Sequence, residues 1–147
     1  MSKETLVILD FQGTLVDVNP IRHYVTGEKR DFNAFHTATF MCEPIMPTVW
    51  MANGAAMAGH KLALFTGMTN DFVMPLKRYL YDLGLRPDIV KMRPAGDFCR
   101  DVTLKERFLD EVLLDHEVIH AVDDNDYIVD LWQRRGIPTT IVPGYHG

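Results

Sequence analysis

Cysteine is scarce in this chain of 147 residues, with only Cys42 and Cys99 present. They fit no metal-ligand spacing, and buried free thiols in a reducing compartment are expected rather than a disulfide. No apolar run approaches the ~20 residues that span a bilayer. The apolar stretch after Thr5 is broken by Asp10, too soon for a secretory leader. These absences lead us to expect a cytoplasmic protein without membrane contact. Positive charge is also in short supply: 15 Lys and Arg against 20 Asp and Glu give a formal net charge of -5. That balance excludes a broad nucleic-acid coat but not a local basic grip on one phosphate. Repeats, low-complexity tracts and the GxxxxGK[ST] phosphate loop are missing as well.

What is present is alternation. Five short apolar runs, Thr5–Leu9, Lys61–Phe65, Asp88–Met92, Val118–Val122 and Thr139–Val142, read as strands covered on both faces. Between them, Pro47–Gly59, Asp71–Leu83, Asp101–Leu114 and Asn125–Arg135 have helical period, with Asp101 as the expected N-cap of the third. Alternating strands and helices imply right-handed crossovers and an α/β sandwich on a five-stranded parallel sheet. The length suits one domain over residues 1–147. Residues 17–42 are too long for a simple crossover and are expected to form a flap or small cap, with a short helix in "RDFNAFHTATF".

In a parallel sheet, residues that follow the strands gather along one rim. Asp10 follows the first run, Thr66 and Gly67 the second, and Asp123 and Asp124 the fourth. The loop "KMRPAGDFCRD" after the third carries Arg93, Asp97, Arg100 and Asp101, with Lys105 about one helical turn further on. Carboxylates, a hydroxyl beside a free amide and cations at one rim suit phosphoryl chemistry on Mg²⁺. Hard oxygens hold that ion, and cations balance the transferring group. Asp10 is the candidate nucleophile.

The stretches "LVILDFQGTLVD", "EPIMPTVWMANGAAMAGHKLALFTG", "KMRPAGDFCRDVTLKERFLDEVL" and "AVDDNDYIVDLWQRRGIPTTIVPG" resemble the haloacid dehalogenase-like (HAD) hydrolase superfamily. They are most similar to the phosphatase domain of bacteriophage polynucleotide kinase/3′-phosphatases and their stand-alone relatives. The resemblance implies a HAD-like Rossmannoid three-layer sandwich with a short cap after the first strand. It implies Asp10 as nucleophile, with Gly13 and Thr14 in the phosphate loop behind it. Thr66 and Gly67 would bind phosphoryl oxygens, and Lys105 would balance the aspartyl-phosphate. Asp10, the Gln12 backbone carbonyl, Asp123 and Asp124 would hold Mg²⁺. Arg93 and Arg100 would lie near the substrate, a phosphorylated small molecule or nucleic-acid end. No kinase half is recognisable, so 5′-phosphorylation is not expected, and no partner protein is evident.

The chain departs from the family at Gln12, where most members have a second Asp acting as general acid and base. Met68 and Asn125 replace arginines that often follow the Thr-Gly and Asp-Asp pairs. A glutamine amide donates and accepts hydrogen bonds but carries no proton near neutral pH. The expected protein is therefore a Mg²⁺-dependent phosphatase that is slow or specialised. The alternative is a phosphate- or nucleotide-binding protein without turnover; a dehalogenase-like hydrolase ranks well below both. Each residue also has a simpler reading. Asp123 and Asp124 suit helix capping, Lys105 suits an ion pair with Asp101 four residues earlier, and Tyr24, Phe32 and Phe35 suit fastening of the flap. The six histidines share no metal-ligand spacing, and loop or surface positions are expected, with His23 the one placed to meet substrate.

Overall fold

A computed structural model describes residues 2–143, so the expectation for His146 lies outside the described residues. Five strands form one sheet: β1 (Glu4–Leu9), β2 (Lys61–Thr69), β3 (Ile89–Arg93), β4 (His116–Asp123) and β5 (Thr139–Ile141). All pairs are parallel, in the order β3-β2-β1-β4-β5. The alternating side chains of β1 explain why this strand is central. Val7 and Leu9 enter one core, whereas Leu6 and Ile8 enter the other.

Helices cover both faces. Val49 and Ala52 of α2 (Met46–Met57) and Leu76 and Leu80 of α3 (Val73–Asp82) fill the first core. Leu104, Phe108 and Leu109 of α4 (Asp101–Val112) join Ile128, Leu131 and Trp132 of α5 (Asp126–Arg134) in the second. These i, i+3, i+4 spacings are the apolar stripes of helices laid on a sheet. Phe65 joins the second core's layers edge-on to Phe108 at 5.5 Å and beside Trp132 at 6.1 Å. The three-layer α/β sandwich thus follows the expected arrangement. Among the described residues, no helix is long and apolar enough to cross a membrane.

The chain winds outward from β1 to β3, then crosses to β4 on the other side of β1. That reversal leaves a crevice beyond the carboxyl ends of β1 and β4, the usual ligand position in open α/β sheets. Residues 17–42 lie over it as a 3₁₀ segment (Asn19–Tyr24) and α1 (Phe32–Thr39). Asp31 starts α1 by accepting from the Ala34 N–H at 3.0 Å. Several element limits differ from expectation by a few residues, most at β2, which runs on to Thr69. A 3₁₀ turn over Asn70–Phe72 precedes α3, and α4 is capped by Arg100, without a side-chain bond, instead of Asp101. Asp101 occupies the first turn because Arg93 binds its carboxylate at 2.5 Å.

Candidate active site

The ladder between β1 and β4 continues one bond past β1, from the Asp10 N–H to the Val122 carbonyl at 3.1 Å. This places Asp10 beside Asp123, although 112 residues separate them in sequence. Gly13 turns the chain with φ +86°, and a Cβ there would stand 2.2 Å from Asp124 Oδ2. Glycine is therefore required both by backbone angle and by the carboxylate pressed against it. The turn aims Thr14 back at the cluster, where its hydroxyl lies 3.0 Å from Asp10 Oδ2 and 3.2 Å from Asp124 Oδ1.

Lys105 is 4% exposed, and α4 delivers it from its buried side, one turn before Leu109. Its ammonium donates to Asp10 Oδ1 at 2.8 Å and to Asp123 Oδ2 at 2.9 Å. Burial works against its charge, but the two carboxylates outweigh burial and hold it protonated far above the ordinary lysine range. The simpler reading of Lys105, a solvated partner of Asp101, is thereby replaced. A helix-face charge is invisible as buried until the packing of that face is known.

Asp123 and Asp124 occupy different settings. Asp123 Oδ1 accepts from the N–H groups of Asp124 and Asn125, which fix the carboxylate's orientation while Oδ2 faces Lys105. Asp124 Oδ2 is buried without a hydrogen-bond partner. Burial, then the Asp10 charge, pushes both Asp123 and Asp124 above the ordinary carboxylate range. Three buried carboxylates facing one ammonium carry a surplus of negative charge in a poorly solvated place. Oxygens of Asp10, Asp123 and Asp124 lie within 4.8 Å of one another. An all-oxygen donor set, an unpartnered carboxylate oxygen and surplus negative charge fit a hard divalent cation.

The cluster forms the base of an open pocket of about 560 Å³. Thr66 and Gly67 line it where the β2–β3 register shifts between Thr66 and Thr69. The Thr66 hydroxyl accepts from the Met68 N–H at 3.1 Å and keeps its own proton for another acceptor. Met68 itself is fully buried.

The family model of the polynucleotide kinase PNKP phosphatase domain matches residues 4–144. The chain belongs to this family. It has the HAD fold, shared with phosphatases. A chain of the Pnkp1/Rnl/Hen1 complex is 27% identical at a TM-score of 0.82, covering 97% of this chain and 47% of that one. The chain thus spans about half the length of that relative. The tungstate-bound class C acid phosphatase from Bacillus anthracis shares the fold, at 12% identity and TM-score 0.76, covering 100% and 69% of the two chains. A hydrolase from Streptococcus pneumoniae TIGR4 does so at 14% and 0.60, covering 98% and 95%. No curated protein sequence matches at a comparable level of significance.

Around this PNKP-type phosphatase cluster, the arginines divide. Arg93 lines the pocket, yet its guanidinium donates to the Gly67, Asp97 and Cys99 carbonyls and to Asp101, so most of it braces the loop 94–101. Arg100 is exposed at the pocket wall. Asn125 also lines the pocket while capping α5 through the Tyr127 N–H. Cys42 and Cys99 are free and half-buried, more accessible than expected.

Sequence reasoning missed the flap's contribution. Arg22, Arg30, Phe32 and His36 line the pocket, and Arg22 reaches to 4.0 Å from Asp124 Oδ2. His23 is exposed, stacked on Tyr24 with ring centroids 4.2 Å apart, and does not line the pocket. His36, expected at a loop or surface, is buried on α1, edge-on to Phe72 at 5.4 Å. Burial lowers it to about 4, so it is neutral at physiological pH. The signal for His36 was present in the sequence as its helical phase with Phe32 and Phe35. Phe35 is buried and fastens α1 to the core, whereas Phe32 is half-exposed.

Proposed function

We propose that the chain is a Mg²⁺-dependent phosphomonoesterase that carries the phosphoryl group on Asp10 and acts on the phosphorylated end of a nucleotide or polynucleotide. The carrying observation is Asp10 itself, held between Lys105 and Thr14 at the base of an open pocket beside two further buried carboxylates. The Lys105 ammonium holds Asp10 Oδ1 at 2.8 Å and fixes the carboxylate for attack. An Asp10 oxygen bonds to phosphorus as the ester P–O bond breaks, and the leaving oxygen takes the electron pair. A water oxygen then bonds to phosphorus and the bond to Asp10 breaks, restoring its carboxylate; of the two water protons, one stays with inorganic phosphate and the other passes through solvent to the released alkoxide.

Thr66 and the Gly67 amide are placed for the non-bridging oxygens. Asp10, Asp123, Asp124 and the Gln12 carbonyl are the residues to hold Mg²⁺, which supplies charge neutralisation for the phosphoryl group. Arg30 and Arg100 are exposed at the mouth with Phe32 and with Phe98, itself 95% exposed. Cations and exposed rings suit the phosphates and bases that continue beyond a nucleic-acid end. A relative in an RNA repair complex points the same way.

Gln12 limits the chemistry. Without a proton donor, leaving groups that are stable anions depart well, and alkoxides depart slowly. Rates on p-nitrophenyl phosphate and on a 3′-phosphorylated oligonucleotide, each compared between the wild type and Gln12→Asp, test this. The expected gain is about 10²–10⁴-fold on the oligonucleotide and small on the aryl ester; equal gains overturn the assignment. Gln12 also favours a second reading, binding without turnover. Calorimetry with Mg²⁺ and nucleotides beside a sensitive phosphate-release assay separates the two.

A further inference from the structure

Gln12 lies between the carboxylate cluster and the flap, lining the pocket with Asp10. Its Nε2 is 2.8 Å from Thr39 Oγ1 and 3.1 Å from His36 Nδ1. The two partners sit three residues apart on α1, hence on one face of the helix. The Thr39 hydroxyl donates its single proton to the Phe35 carbonyl at 2.8 Å. Toward Gln12 it has only lone pairs, so the amide must present its NH₂ there and not its oxygen. His36 Nδ1, 3.1 Å from the same amide nitrogen, faces a donor and so is the ring's acceptor nitrogen there. Both amide hydrogens of Gln12 are thus committed to α1. Its Oε1 takes no hydrogen bond among the described residues and is not a buried orphan.

We infer that Thr39 and His36 are positioning residues that lock the Gln12 amide with its carbonyl oxygen turned away from α1, as a fixed acceptor for the attacking water. This rests on the aspartyl-phosphate reading above and assigns Gln12 to one of its two steps. An acceptor orients water for attack on phosphorus and gives nothing to a departing alkoxide. In the water step, the water oxygen bonds to phosphorus and the phosphorus–Asp10 bond breaks. Its electron pair restores the carboxylate, and both water protons leave with the phosphate formed, as dihydrogen phosphate, which gives one up to solvent. Gln12 orients this water without being protonated. The flap is coupled to the second step and not to the first.

The test uses Thr39→Val, which removes the hydroxyl, and Thr39→Ser, which keeps it. With p-nitrophenyl phosphate in rapid mixing, Thr39→Val is expected to retain the initial burst of nitrophenolate. Its steady-state kcat should fall about 10-fold or more, with Thr39→Ser restoring it. Combined with Gln12→Ala, Thr39→Val should add no further loss, because both remove the same orienting group. A lost burst, an unchanged steady state, or additive losses overturn the inference. A second measurement is independent of turnover. The Gln12 side-chain amide protons, assigned in ¹⁵N spectra by their disappearance in Gln12→Ala, should exchange slowly in the wild type and rapidly in Thr39→Val. Rapid exchange in the wild type overturns the lock. If exchange is slow but Asp10→Asn turns over like the wild type, the aspartyl-phosphate reading fails while the lock stands.

Discussion

The cluster at the strand ends and the flap contact beside it meet in one pocket but are held by different forces. Asp10, Asp123, Asp124 and Lys105 are charged, nearly fully buried and drawn from the sheet and α4. Gln12, His36 and Thr39 are uncharged, joined by hydrogen bonds from a loop and a short helix. Electrostatic energy in a poorly solvated place is large, so the first group tolerates little change. Neutral hydrogen bonds are worth about 1 kcal/mol net, so the second group can be re-tuned at small cost to folding. An enzyme built this way can exchange its proton-handling residue and keep its phosphate and metal apparatus. Gln12 beside a complete cluster of Asp10, Asp123, Asp124 and Lys105 is consistent with that division of labour.

The comparison predicts a descending series. Asp10→Asn removes the proposed nucleophile and should lower phosphate release by at least about 10³-fold, or roughly 4 kcal/mol of barrier. A smaller loss, measured with p-nitrophenyl phosphate, would remove the nucleophile from the charged group. Lys105→Met leaves three buried carboxylates without a cation and should cost about 3–5 kcal/mol in urea unfolding. Added Mg²⁺ should recover part of it by binding the folded state. If Lys105→Met is as stable as the wild type, charge balance does not hold the rim.

Gly13→Ala strains a positive-φ position and drives a methyl group against Asp124. A loss of roughly 1–3 kcal/mol is expected, with weaker Mg²⁺ binding by calorimetry. On the flap side, Tyr79 donates to the Cys42 carbonyl at 2.8 Å and stands edge-on to Phe11 at 5.7 Å. Tyr79→Phe should cost only about 1 kcal/mol near pH 7. Burial, with smaller effects from Cys42 and Glu43, raises this phenol to about 12. A raised folded-state value favours the protonated form. Its stabilisation is complete below the unfolded value near 10 and is lost as pH rises toward 12. In thermal scans across that window, the wild type should therefore lose more stability than Tyr79→Phe.

How much of this was legible depends on what each residue does locally. The five strands and all five α-helices, the short one in the flap included, were readable because apolar period is set by burial on one face. Asp10, Thr66, Asp123 and Asp124 were readable because residues at the carboxyl ends of parallel strands converge whatever the connecting loops do. Asp101 was misread as a cap: its partner Arg93 comes from β3, outside any local window. His36 was misread as a surface group: its helical phase with Phe32 and Phe35 hinted at an inward face, but only packing brings Phe72 and Gln12 over it.

By itself, then, the sequence determined the α/β alternation, the family and the acidic rim, through periodicities and turn residues that act over a few neighbours. Only the tertiary structure decided that Lys105 faces inward to two carboxylates, that Asp124 keeps an unpartnered oxygen, and that Gln12 is tied to α1. Those outcomes depend on packing angles and on the desolvation that packing imposes. Residues 18 to 95 positions apart in the chain must meet before these contacts form.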